Sequence, residues 1–174
     1  MLELAYLAGH PEVIPLLARW HHAEWGQLVR DWPLELAEAE LRSHTARRAL
    51  STTVVALDAG APVGSASLLE EDMPDMPALS PWLASVYVTP DHRSRGIGGR
   101  LVDRIIEEAR AQGVGRLYLF TTEARRYYEV RGWQVLQPIL VRGNEGVIMY
   151  LDLRAGGYSF QFRTADAARN QEGP

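Results

Sequence analysis

Apolar residues recur along the chain with two periods, near two and near 3.6, and the order in which the periods alternate lays out the elements. Leu2 to Leu7 has the length and composition of a strand. Pro11, suited to a first helical position, opens a helix with Val13, Ile14, Leu17 and Trp20 on one side. A second helix follows Trp32, with Leu34, Leu36, Ala37 and Leu41 as its apolar positions and Glu35, Glu38 and Glu40 on a solvated face. Thr52–Leu57 and Val63–Leu69 are β-branched or apolar runs separated by Asp58, Ala59, Gly60 and Ala61, which reads as a hairpin. Residues 70–81 mix acids with prolines and read as an irregular loop. Leu83–Val88 is the next strand, and Pro90, lacking a backbone N–H, ends its ladder. A helix then begins near Gly98. It places Leu101, Ile105 and Ala109 at four-residue spacing with Val102 and Ile106 beside them, turns Arg100, Asp103, Arg104, Glu107 and Glu108 outward, and stops at Gly113 and Gly115. Arg116–Thr121 is a short strand, Glu123–Arg131 a short helix, Gly132 a helix stop, and Trp133–Val141 and Val147–Leu153 two further strands.

This pattern gives one domain over residues 1–153 and an extension over 154–174. In the extension Tyr158, Phe160 and Phe162 alternate, as an added edge strand or a homodimer contact would, before a flexible tail from Ala165. A chain of 174 residues with 47% apolar content can bury a sizeable core. Its net charge of -4 supplies no general basic field, so a nucleic-acid partner is not expected. No run approaches the roughly 20 apolar residues of a membrane helix, and Met1–Leu7 lacks the basic start and length of a signal peptide, so the expectation is a cytoplasmic protein without a membrane partner.

Two missing residue types narrow the chemistry further. Without cysteine there is no thiolate nucleophile, disulfide or cysteine metal site, and all 18 cationic side chains are arginine, which removes the P-loop lysine, Schiff-base chemistry and a lysine base. The five histidines show no ligand spacing: His21 and His22 point apart by roughly 100° on a helix, while His10, His44 and His92 stand in unrelated contexts, so no metal is expected.

The most specific stretch joins the strand at Leu83–Val88 to the helix near Gly98. Val86-Tyr87-Val88-x-Pro90 precedes Arg93-Ser94-Arg95-Gly96-Ile97-Gly98-Gly99. Glycines without Cβ let a ligand lie against main-chain N–H groups, and the guest such a turn favours is an anion. A dinucleotide loop would open directly after its strand, whereas Pro90 to Arg93 intervene here. Thirty residues on stands Ala124-Arg-Arg-Tyr127-Tyr128-Glu-Val-Arg-Gly132-Trp133. The two stretches resemble the acetyl-CoA loop and the aromatic-Tyr-x-x-x-Gly-aromatic pattern of the GNAT superfamily of N-acetyltransferases.

That resemblance covers roughly residues 2–153 and implies an α/β (α+β) fold: a mixed, mainly antiparallel sheet of six or seven strands, flanked by helices, with a splayed central pair. It implies acetyl-CoA as cosubstrate, with Arg93, Ser94, Arg95, Gly96, Ile97, Gly98 and Gly99 around its pyrophosphate. The backbone of Val86, Tyr87 and Val88 would meet the pantetheine and thioester. Tyr128 would be the acid that protonates the leaving thiolate, with Tyr127 a packing aromatic. Many relatives carry an asparagine just after the strand at Leu117–Phe120; Thr121, Thr122 and Glu123 stand here, and that role is not transferred. Arg95 or Arg100 is suited to a CoA phosphate, with Arg125 and Arg126 close by. The acceptor would be the primary amine of a small molecule or peptide, attacking directly. Its general base is sought among Glu70, Glu71 and Asp72, of which Asp72 is taken, with Ser85 or water as relay and Met73, Met76 and Trp82 as an apolar wall that raises its pKa. A non-catalytic CoA-binding or ligand-sensing module, or an interaction domain with an incidental glycine loop, are the competing readings.

Overall fold

The computed structural model describes residues 1–29 and 31–154; the readings made for Tyr158, Phe160, Phe162 and the tail fall outside them. In chain order the elements are β1 (Leu2–Tyr6), α1 (Ile14–Trp25), α2 (Leu34–Ser43), β2 (Thr52–Asp58), β3 (Ala61–Leu69), β4 (Trp82–Val88), α3 (Ile97–Ala111), β5 (Arg116–Thr121), α4 (Arg125–Glu129), β6 (Gln134–Val141) and β7 (Asn144–Asp152). The seven strands form one sheet in the order β1-β2-β3-β4-β5-β7-β6. Every neighbouring pair is antiparallel except β4 and β5, which run parallel.

Both faces of the sheet are covered, which is why β2 and β3 read as nearly unbroken apolar or small runs. On one face Val54, Ala56, Leu68 and Leu83 pack against Ile97, Leu101, Ile105 and Ala109 of α3, with Leu117, Leu119 and Met149 completing that core. On the other, Val55 and Leu57 pack against Leu7, Ile14, Leu17, Ala37 and Leu41, so successive residues of β2 serve opposite cores. Each fully buried Val, Leu, Ile or Met among them contributes about 1.5–3 kcal/mol of transfer free energy.

Three side-chain assignments differ from what helical spacing suggests. Glu108, expected on the wet face of α3, is 5% exposed. The Tyr6 hydroxyl donates to its Oε1 at 2.6 Å and Arg104 donates to the same oxygen from Nε and Nη2 at 3.0 and 2.6 Å, pinning the end of α3 to β1. Leu36, counted toward the apolar face of α2, is 42% exposed, and Glu40, expected in water, is partly buried and accepts a hydrogen bond from Trp32 Nε1 at 2.8 Å. The α2 helix is thus rotated so that Ala37 and Leu41 alone point fully inward while Glu40 turns toward the protein.

Candidate active site

The site is built around β4, and its first determinant is an interruption of the sheet. Against β3, Ser65 pairs with Tyr87 and Ser67 with Ala84, so Ser85 and Val86 together oppose Ala66. Ser85 takes φ of 52°, a left-handed backbone that an L side chain rarely adopts. An extra residue of this kind is a β-bulge, and it bends its strand. On the other edge, β4 and β5 share one registered pair, Trp82 with Tyr118, with Tyr118 N–H donating to the Pro81 carbonyl at 3.0 Å. Beyond that pair no β4–β5 ladder forms, so the parallel strands part and, among the described residues, leave the β5-side edge of β4 at Val86, Tyr87 and Val88 without a strand partner.

The second determinant lies where β4 hands over to α3. Ser94 and Gly96 have φ of 60° and 77°, a backbone alternation that turns successive N–H groups toward one concavity. Gly96 is the N-cap of α3, and no side chain caps the helix. The N–H groups of its first turn are left for a ligand, and the helix dipole adds a positive partial charge there. A Cβ added at Gly96 would meet nothing within 4 Å, so the space above the loop is open. Acetyl-CoA, with a pyrophosphate and a long arm, is compatible with an uncapped helix start that leads into a parted strand pair.

Not every expected contact faces that opening. Arg93 folds back, its Nε–H donating to the Val88 carbonyl at 3.0 Å, its Nη2 3.8 Å from Glu24 of α1 and its guanidinium 5.9 Å from the centre of the Tyr87 ring. In this position it braces the turn. Ser94, Arg95 and Arg100 are exposed around the loop, Ile97 is buried in the core, and Arg125 pairs with Glu129 at 2.7 Å. The hydroxyl of Thr121 accepts the N–H of Ala124 at 3.0 Å, so it holds the turn into α4.

Gly98 and Gly99 make room for protein as well as ligand. A Cβ at Gly98 would lie 3.5 Å from the Tyr127 hydroxyl, and one at Gly99 3.0 Å from Nη2 of Arg131. Tyr128 is 8% exposed and lies edge-on to Tyr127 and to Trp133, with ring centres 5.1 and 5.9 Å apart. Burial, with Tyr127 adding to it, pushes its phenol well above the ordinary tyrosine range and keeps it protonated.

On the face of β4 opposite α3, an aromatic wall forms that spacing alone did not disclose. Trp20 stacks on Tyr87 at 5.3 Å and Trp25 meets Tyr87 edge-on at 6.3 Å. Behind them His21, 3% exposed, bonds Ser65 Oγ through Nε2 at 2.8 Å. Burial, with His44 second, lowers His21 to about 4, so it is neutral near pH 7.

Asp72 stands at the other end of β4 from the glycine loop, three residues beyond Leu69, which pairs with Trp82. Its side chain is reached by solvent, yet desolvation by the protein packed around it, with the charge of Glu40 second, raises its carboxyl from 3.8 to about 6. Glu70 and Glu71 are exposed. Among the described residues no cluster of His, Asp and Glu is arranged to hold a metal ion, and no helix is long and apolar enough to cross a membrane.

A mainly antiparallel sheet opened at its one parallel pair, beside an uncapped glycine-led helix, is the arrangement of an acyltransferase. The chain belongs to the acetyltransferase (GNAT) family, whose profile matches residues 17–133. An amino-acid acetyltransferase of Ectopseudomonas mendocina is 40% identical over 52 residues, a match spanning 30% of this chain and only 12% of that relative. Among solved structures, an aminoglycoside 6'-N-acetyltransferase complexed with coenzyme A superposes with a TM-score of 0.68 at 15% identity, covering 90% of this chain and 99% of the other. The ribosomal-protein-S18-alanine N-acetyltransferase of Escherichia coli gives 0.61 at 22% identity, covering 93% and 100%. At these identities the structural likenesses establish the fold.

Proposed function

We propose that the protein transfers an acetyl group from acetyl-CoA to a primary amine by direct attack in a ternary complex. The observation that carries this reading is the single registered pair between β4 and β5. A parted parallel pair gives a pantetheine arm unpaired backbone to bond, starting at the uncapped end of α3 where a pyrophosphate is favoured. The seven residues of β4 span roughly 20 Å, so an arm anchored at the glycine loop runs back along the strand toward the end where Asp72 lies.

In this reading the loop from Arg93 to Gly99 holds the pyrophosphate and the backbone of Val86, Tyr87 and Val88 holds the arm, where an N–H also stabilises the oxyanion of the tetrahedral intermediate. Asp72 takes a proton from the attacking ammonium, directly or through water, which a carboxyl near 6 can do while ionised at neutral pH. Tyr128 gives its proton to the leaving thiolate; burial keeps the phenol protonated but makes it a weaker acid, so the transfer requires its hydroxyl to sit close to the sulfur. The aromatic wall of Trp20, Trp25 and Tyr87 and the carboxylates of Glu40 and Asp72 suit a cationic, partly apolar amine.

The test is release of free CoA thiol from acetyl-CoA against a panel of polyamines, aminoglycosides, amino acids and peptide N-termini, with the acetylated product identified by mass. Acceptor-dependent thiol release is the expected result. Acetyl-CoA binding without any accelerating amine would establish the non-catalytic module instead, and absence of binding would overturn both.

A further inference from the structure

The sheet ends at β6, which among the described residues has β7 on one side and no strand on the other. Every second residue of it, Leu136, Pro138 and Leu140, is exposed, Leu140 at 67%. An open edge carrying an apolar stripe is one that natural sheets cover or break with charge, and β6 contains no charged residue. The stripe also borders a cavity of about 610 Å³ lined by Pro138, Leu140, Val147, Thr122 and Arg125.

We propose that residues 158–164 of this chain add to the open edge of β6 as a parallel strand, with Tyr158, Phe160 and Phe162 laid against Leu136, Pro138 and Leu140. Both stripes repeat at every second residue and run for about 13 Å. The path to that edge is short. Tyr150 of β7 lies opposite Gln134, the first residue of β6, so the chain leaves β7 at the end of the sheet where β6 begins. It stays anchored there as far as Leu153, whose N–H donates to the Gly115 carbonyl at 2.9 Å. The place beyond β6 is two strand spacings from β7, about 10 Å. The peptide steps from Arg154 through Ala155, Gly156 and Gly157 to Tyr158 reach up to about 14 Å. From there the segment follows β6 in its own direction and delivers Phe162 beside Leu140, at the cavity. Tethering favours this occupant over a strand from elsewhere. The register shift between Val135 and Gln137 and the missing N–H of Pro138 make β6 a poor template for a free partner. A short tether supplies an effective concentration on the order of millimolar, which a second copy in dilute solution does not match.

The chain has no cysteine, so an introduced pair supplies its only thiols. The full-length Leu140→Cys/Phe162→Cys variant is oxidised and resolved on non-reducing gels, with the bridged peptides identified by mass. Leu136→Cys/Phe162→Cys is the register control, its two sites about 13 Å apart in the proposed pairing and beyond disulfide reach. The expected result is a bridge within one chain for the first pair, formed about tenfold faster than in the control. In the full-length chain without introduced cysteines, amide exchange over residues 134–141 should be about tenfold slower than in Phe160→Asp/Phe162→Asp. Unchanged exchange in β2 and β3 shows that this variant is folded. Bridges that join two chains would give the edge to a second copy and overturn the proposal. Equal bridging in the two cysteine pairs, or equal exchange of residues 134–141 in the two chains, would overturn it as well.

Discussion

Asp72→Asn is the most discriminating perturbation, because loss of a base lowers activity and removes a pH bend whereas loss of a bystander leaves both unchanged. The carboxyl is raised from 3.8 to about 6 by desolvation first and by Glu40 second. At pH 7 a group of that pKa is about 90% ionised, and below pH 6 its active form falls tenfold per unit. The profile of log kcat/KM against pH should therefore bend at about pH 6 in the wild-type enzyme. The bend should be absent in Asp72→Asn, with kcat/KM reduced by roughly 10²-fold or more at pH 7.5, the usual worth of a positioned base. Glu40→Gln should move the bend downward without returning it to 3.8, since desolvation is the larger cause. Stability runs the other way. The fold holds the proton more tightly than the unfolded chain does, so Asp72 favours folding below about pH 4, and that contribution is lost as pH rises through about 6. Replacement by Asn should accordingly raise the melting temperature at pH 7–8 and lose this advantage below pH 4. Solvent reaches the side chain and screens the effect, so the gain should be roughly 1–2 °C. Thiol-release kinetics across pH 5–9 and thermal melts over the same range make the comparison. An unchanged kcat/KM with the bend still present in Asp72→Asn would refute the assignment.

Tyr128→Phe should lower kcat by roughly 10²-fold while acetyl-CoA affinity, read by calorimetry, stays within about twofold, because the hydroxyl acts on the leaving group and the ring keeps its place beside Trp133. Gly64→Ala would put a Cβ 2.6 Å from the Tyr87 carbonyl oxygen, a backbone atom that cannot yield cheaply. It should cost about 1–3 kcal/mol in denaturant unfolding, and, since Gly64 pairs with Val88, weaken CoA binding as well. Glu108→Ala leaves Arg104 and the Tyr6 hydroxyl without their shared acceptor and should destabilise by about 3 kcal/mol, lowering the melting temperature by roughly 6–12 °C. Glu108→Gln, which retains an acceptor oxygen, should lose less.

Legibility in the sequence followed the distance between cause and effect along the chain. The glycine loop was readable because its conformation is local: Pro90 stops a ladder, Gly96 adopts φ of 77°, and α3 repeats its apolar stripe from Ile97 to Ala109 within one element. The succession of strands and helices around it followed from the same periodicities, and the GNAT resemblance anticipated the splayed pair. Glu108 was misplaced because the group that holds it inside, Tyr6, lies 102 residues away. Glu40 and Leu36 were misjudged for a related reason, since a helix of ten residues with few strong apolar positions does not fix its own rotation and Trp32 and the β2 face decide it. The bulge at Ser85 carries no glycine or proline to announce it. The position of Tyr127 had one faint signal, a pair of adjacent glycines at Gly98 and Gly99, which only becomes meaningful once α4 is known to pack against them.

The two sides of β4 are specified by different kinds of information, and this bears on what the chain can acetylate. Toward α3 the strand meets the proposed anion loop, whose concavity is a property of backbone shape that tolerates changes in neighbouring side chains. Toward α1 and α2 it meets Trp20, Trp25, Tyr87 and His21, brought together by packing between elements far apart in sequence. Under the proposed reaction these side chains form the wall that selects the acceptor. Replacing Trp25 with alanine should enlarge the proposed acceptor cleft without touching the loop, so the ratio of kcat/KM values across an amine panel should change while acetyl-CoA affinity remains constant. A uniform loss over every amine would place the aromatic wall outside the acceptor cleft and leave it only a packing role.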